Sequence, residues 1–114
     1  MKIREIAEIL NAEFICCEEF ADKEVYSACG SDMMSDVLAY VKEQAVLITG
    51  LCNPQVVRTA EMMDMVCIVF VRGKKPSAEA IEFAKGRGLV MMATQHRMFS
   101  ACGLLYSAGL KSGD

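Results

Sequence analysis

No CxxC pair, no bilayer-length apolar run, no surplus of basic charge and only one histidine occur in these 114 residues, and each shortage excludes something. Iron–sulfur and zinc sites are marked by closely spaced ligand pairs. The six cysteines, Cys16, Cys17, Cys29, Cys52, Cys67 and Cys102, lack that spacing. They read as buried small hydrophobes; no cofactor or metal is expected unless the fold gathers Cys29, Cys52 and Cys102. A chain of this length buries a full core, so a disulfide framework is not expected either. The longest apolar run, Met65 to Val71, falls far short of the roughly 20 residues that span a bilayer, and it reads as a core strand. Lys2, Arg4, Glu5 and Glu8 interrupt the N-terminal stretch where a secretory signal would be apolar, so the expected location is the cytoplasm, with no membrane partner. With 12 Lys plus Arg against 15 Asp plus Glu, a net charge of -3, the chain has no general footprint for phosphate backbones. Nucleic acid is not an expected partner.

What is present is an alternation of apolar and amphipathic runs. Ile3, Ile6, Ala7 and Leu10 mark one face of a first helix. "EFICCEEF" and "EVYSAC" read as short strands, and the second leads through Gly30 to Ser31 or Asp32 as the cap of a helix with Met34, Val37, Leu38 and Val41 inward. Three similar units follow. "AVLIT" is a buried strand; Asn53 caps the next helix with Pro54 at its first position, and Val56, Val57, Ala60 and Met63 face inward. "VCIVFV" passes through "RGKKP" to a helix capped by Ser77 and carrying Ala80, Ile81 and Ala84. "LVMMA" passes through Thr94, Gln95 and His96 to a helix with Met98, Ala101, Cys102 and Leu105 on one side, stopped at Gly109. Strands apolar throughout need cover on both faces, and their alternation with helices implies parallel pairing. The expected fold is a three-layer α/β/α sandwich with a mainly parallel sheet, one domain over residues 1–110 and a flexible tail over 111–114.

In such a sheet the crevice for a ligand lies beyond the carboxyl ends of the strands, where helix N-termini point free N–H groups. Residues just after the strands form that rim: Gly30, Ser31 and Asp32; Thr49, Gly50, Cys52 and Asn53; Arg72, Gly73, Lys74 and Lys75; Thr94, Gln95 and His96. Arg72, Lys74 and Lys75 make it locally cationic, which favours an anion, although the same charges also suit a solvated turn. Asn53, Ser31 and Ser77 read as helix caps as readily as contacts. His96 can serve as a ligand contact or a base near neutral pH, or simply sit at the surface. Neither a GxxxxGK[ST] loop nor a complete dinucleotide fingerprint is present. The nine methionines suit a core or an adaptable contact surface. Gly103 costs its helix roughly 1 kcal/mol relative to Ala, which suggests close packing against a strand or a second subunit.

The runs "SDMMSDVLAYV", "VLITGLCNPQVVRTAE", "IVFVRGKKPS" and "MATQHRMFSACGLLYSAGL" together resemble the DRTGG domain, from about residue 4 to 110. The shared pattern is Asp32 before the second helix, the Thr49-Gly50 corner, the Gly73-Lys74 corner, and Thr94 followed by a Phe-containing helix; the Asp-Arg-Thr-Gly-Gly string itself is absent. The resemblance implies an accessory domain of the kind found beside CBS pairs in regulated pyrophosphatases and in some phosphate acetyltransferases, similar in fold to the N-terminal domain of HPr kinase/phosphorylase. Stand-alone members often carry a hydrogenase-related label.

No nucleophile, paired-carboxylate or metal-ligand motif supports an enzyme. The leading expectation is a non-catalytic regulatory domain that senses an anionic metabolite, such as an adenine nucleotide, through Ser31, Asp32, Thr49, Gly50, Asn53, Arg72, Gly73, Lys74, Lys75, Thr94 and His96. The alternative is a dimeric interaction module that docks on a hydrogenase or other redox partner, with iron–sulfur carriage as a further option. A homodimer is expected.

Overall fold

A computed structural model describes residues 1–113 and contains a five-stranded sheet between two layers of helices. The elements in chain order are α1 (Ile3–Leu10), β1 (Glu13–Cys16), β2 (Ser27–Gly30), α2 (Met34–Tyr40), β3 (Ala45–Thr49), α3 (Pro54–Met62), β4 (Cys67–Phe70), α4 (Ala78–Arg87), β5 (Val90–Ala93) and α5 (Met98–Ser107). The sheet order is β1-β5-β4-β3-β2, with β1 antiparallel to β5 and the other pairs parallel. Strands β2 to β5 lie side by side in chain order, so right-handed crossovers place α2, α3 and α4 on one face. Helix α5 leaves β5 for the opposite face, where it packs beside α1 and over β3. This is the expected three-layer α/β/α sandwich.

The apolar periodicity accounts for the packing. Every residue of β3, β4 and β5 is buried, because these strands are covered on both faces. Ile3, Ile6, Ala7 and Leu10 are the buried residues of α1, as their spacing predicts. Asn53 caps α3 by accepting from Val56 N at 3.3 Å, and Ser77 caps α4 by accepting from Ala80 N at 3.2 Å. Each satisfies one of the orphan donors of a helix start.

The edges depart from the expectations. Strand β1 stops at Cys16, because Cys17 takes a left-handed conformation (φ 62°) that turns the chain into one 3-10 turn, Glu18–Phe20. Strand β2 begins later than "EVYSAC" suggests, at Ser27; Glu24 forms only an isolated bridge with Lys2. On α2 only Val37 is buried, and Leu38 is 46% exposed, since a two-turn helix over an edge strand has little sheet to cover. Beyond α5, Ala28 N on the outer edge of β2 donates to Lys111 O at 2.9 Å. The last residue of the expected tail, 114, lies outside the described residues.

Candidate functional site

The carboxyl ends of β2, β3 and β4 bring three corners together. Asp32 does not cap α2. Its Oδ1 accepts from Thr49 Oγ1 at 2.9 Å and from Gly50 N at 2.7 Å, tying the turn after β2 to the corner after β3. The N-cap position of α2 falls to Met33, whose N donates to Ser31 Oγ at 2.9 Å. Thr49 is fully buried; its Oγ1 also accepts from Leu51 N at 3.1 Å, so one hydroxyl fixes both the aspartate and the next loop residue.

The corner after β4 is a strained turn. Arg72 and Gly73 have φ of 59° and 67°, and Lys74 N donates to Val71 O at 3.2 Å, the pattern of a primed type I turn. A left-handed arginine costs of order 1 kcal/mol and persists only where its surroundings hold it. Here the next loop holds it: Arg72 N donates to His96 O and Gly73 N to Thr94 O, both at 2.8 Å. Glycine suits position 73 through its φ, and the Gln95 side-chain amide lies over it, 2.8 Å from where a Cβ would stand.

The turn lays the Arg72 side chain over Gly50. A Cβ built on Gly50 would stand 2.8 Å from Arg72 Nη2, so the bare backbone gives the guanidinium its seat. Cys52 reports the local field. Burial pushes its thiol pKa up, Lys74 and then Arg72 pull against that, and Asp32 adds to the rise. Two cations and one carboxylate therefore share the space around Cys52. Among the described residues neither Arg72 nor Lys74 has an ion-pair partner. The arrangement can hold an anion against two exposed cations, while the Thr49 hydroxyl and Gly50 N–H are already given to Asp32.

The other expected residues are placed differently. Lys75 turns toward the sheet edge and pairs with Glu13 at 2.8 Å. Thr94 is buried, and its hydroxyl donates to Leu10 O at 2.7 Å, which ties β5 to α1. Asn53 spends its side chain on the α3 cap. Ser31 lines a separate cleft of about 360 Å³ between β2 and α2, with Asp36, Tyr40 and Lys42. His96 leaves the cationic corner and lines a cleft of about 410 Å³ on the outer side of α5. Gln95, which belonged to the expected rim but not to the expected ligand contacts, covers Gly73.

Cys102 lies near Cys29, but Cys52 sits apart at the cationic corner, so these three do not gather. All six are unpaired, and among the described residues no three His, Cys, Asp or Glu side chains come close enough to hold a metal ion. Among the same residues no helix is long and apolar enough to cross a membrane.

Comparison with known proteins matches this architecture. The chain is similar to the crystal structure of the CBS and DRTGG domains of the regulatory region of Clostridium perfringens pyrophosphatase, complexed with its activator diadenosine tetraphosphate, at a TM-score of 0.73 and 22% identity. The match covers 98% of this chain and 48% of that one, so the protein spans about half the length of its structural relative. No curated protein matches the chain. The sequence pattern of the DRTGG domain matches residues 5–108, nearly the whole length, and the chain therefore belongs to the DRTGG domain family.

Proposed function

We propose that the protein is a non-catalytic regulatory domain of the cytoplasm that senses an anionic metabolite of the adenine-nucleotide class at the carboxyl edge of its sheet. The observation that carries this reading is the pair Arg72 and Lys74, unpaired among the described residues, on a strained turn that the backbone of the His96 loop holds in place. Strain maintained by specific hydrogen bonds is a feature of functional corners. Support also comes from the pyrophosphatase relative, whose regulatory region was crystallised with diadenosine tetraphosphate.

The test is thermal unfolding of the purified protein against adenine nucleotides, dinucleoside polyphosphates, coenzyme A and inorganic phosphate. A ligand at 100 times its dissociation constant adds about 2.7 kcal/mol of stability, a rise of several degrees in Tm for a domain of this size. Changing Arg72 and Lys74 together to Ala removes the shift while leaving the ligand-free Tm within a few degrees, because both side chains are exposed. Absence of a shift with every compound, or a shift that survives the double substitution, refutes the site.

A further inference from the structure

We propose that the outer face of α5 is a homodimer interface, in which Phe99 of each copy fills the groove over Gly103 of the other. Helix α5 differs from the other four helices in carrying no charged residue, and the uncharged stretch runs on from Met98 to Leu110. Its inner side is accounted for by Ala101 and Leu105, both buried. Its outer side is open around Phe99 and Gly103, with Lys111 Nζ lying over the Tyr106 ring at 3.5 Å at the far end. Phe99 is 90% exposed, the highest value among the large hydrophobic residues, with Tyr106 at 59% and Leu104 at 39%.

Successive residues turn by about 100° along a helix, so Phe99 and Tyr106 form one ridge, Leu104 forms the other, and Ser100, Gly103 and Ser107 make the floor between them. That floor belongs to a cleft of about 410 Å³. A Cβ on Gly103 would meet nothing within 4 Å, so the expected packing of a strand of the same chain against it is absent. Glycine here weakens the helix without serving any contact inside the monomer.

The occupant is a second copy because knob and groove lie on the same helix, one turn apart. A two-fold axis across α5 near Ser100 and Gly103 brings each Phe99 over the other copy's Gly103, the self-complementary arrangement that a closed dimer requires. A helix face without charged residues sets no like charges against each other across a two-fold axis. Area agrees with a modest dimer. A standard interface buries about 800 Å² per partner. Phe99 alone offers on the order of 200 Å², and with Tyr106 and Leu104 it supplies roughly half of the requirement. The small residues of the floor and His96 at its end provide the remainder.

Sedimentation velocity on the purified full chain, from low micromolar to near-millimolar concentration, tests this. The expected result is a reversible dimer of twice the chain mass. Phe99→Glu raises the dissociation constant at least tenfold, and Ser107→Glu, which charges the floor, does the same in a fold left intact because both residues are exposed. Tyr40→Glu, at a 71% exposed position on α2, leaves the dimer unchanged. A wild-type protein that stays monomeric throughout the range overturns the proposal, as does a dimer indifferent to both α5 substitutions or equally weakened by the one on α2.

Discussion

Helices α4 and α5 have the same length, ten residues, and follow adjacent parallel strands, yet they are finished in opposite ways. Helix α4 is complete in water. Ser77 caps its start, Gly88 ends it in a left-handed conformation, Glu79 sits in its first turn, and Lys85 and Arg87 sit in its last, matching the helix dipole at both ends. Its outer face carries a Glu82–Lys85 pair at 3.6 Å, and Arg87 stacks on Phe83 at 3.8 Å. Helix α5 has less of this: its N-cap is Arg97, no side chain caps its start, and neither end turn holds a charged residue, although Lys111 beyond the helix donates from Nζ to Tyr106 O at 2.9 Å. What holds α5 is its apolar side against the sheet and α1. A helix that is self-sufficient locally needs no partner beyond the sheet; one that depends on burial exposes its remaining apolar surface to whatever covers it.

The difference can be broken most strongly from the inside of α5. Leu105→Ala removes a fully buried anchor and should cost about 2–5 kcal/mol in urea unfolding, with the transition still cooperative. An equally large loss from a substitution on the outer face of α4, such as Glu82→Ala, would show that the two helices do not differ as described.

The underside of α4 offers the next effect, through pH. Cys17 Sγ donates to Ala84 O within α4, and Cys16 Sγ donates to Leu89 O just beyond it. Burial, then the neighbouring Cys17, push the Cys16 thiol up to about 11 from an ordinary 9.0. The folded chain thus keeps a proton that the unfolded chain releases. This contribution is intact below pH 9 and is lost as pH climbs toward 11. At about pH 10.5 the loss from this one group is on the order of 2 kcal/mol. Urea midpoints for wild type and Cys16→Ala between neutral and alkaline pH check it: the wild type should fall more steeply. Parallel pH dependence would mean that Cys16 ionises in the fold as freely as in the unfolded chain.

Much of this architecture was legible because it rests on local rules. Unbroken apolar runs marked β3 to β5, 3.6-residue spacing marked α1, and Asn53 and Ser77 stood where a helix start needs an acceptor. The same local reading misassigned Asp32. Its partners, Thr49 and Gly50, are 17 and 18 residues away, and any Asp ahead of a helix resembles a cap. The left-handed Arg72 was also hidden, since its conformation is imposed by carbonyls of the loop after β5 and not by its own side chain. Collecting every residue beyond a strand end found the cationic pair, but it also collected Thr94 and Lys75, whose polar groups bond to α1 and β1. Position along a strand is legible in sequence; the direction of a side chain past its end is set by neighbours distant in the chain.

The smallest effect lies at the helix starts. Ser77→Ala should cost about 1 kcal/mol, because an Ala cannot accept the hydrogen bond from Ala80 N. Arg97→Ser should move α5 the opposite way, since it supplies the missing acceptor and removes a positive charge from the positive end of the dipole; the gain is a few tenths to about 1 kcal/mol. Arg97 is exposed and has no ion-pair partner among the described residues, so no existing contact offsets the gain. Chemical denaturation of the two variants side by side reads both signs in one measurement. If Arg97→Ser brings no gain, the first turn of α5 is already satisfied by water or a partner, and the helix owes its exposed face to something other than incomplete local design. If it stabilises the chain, α5 was left uncapped in a sequence that caps α3 and α4, and its stability comes from what packs against it.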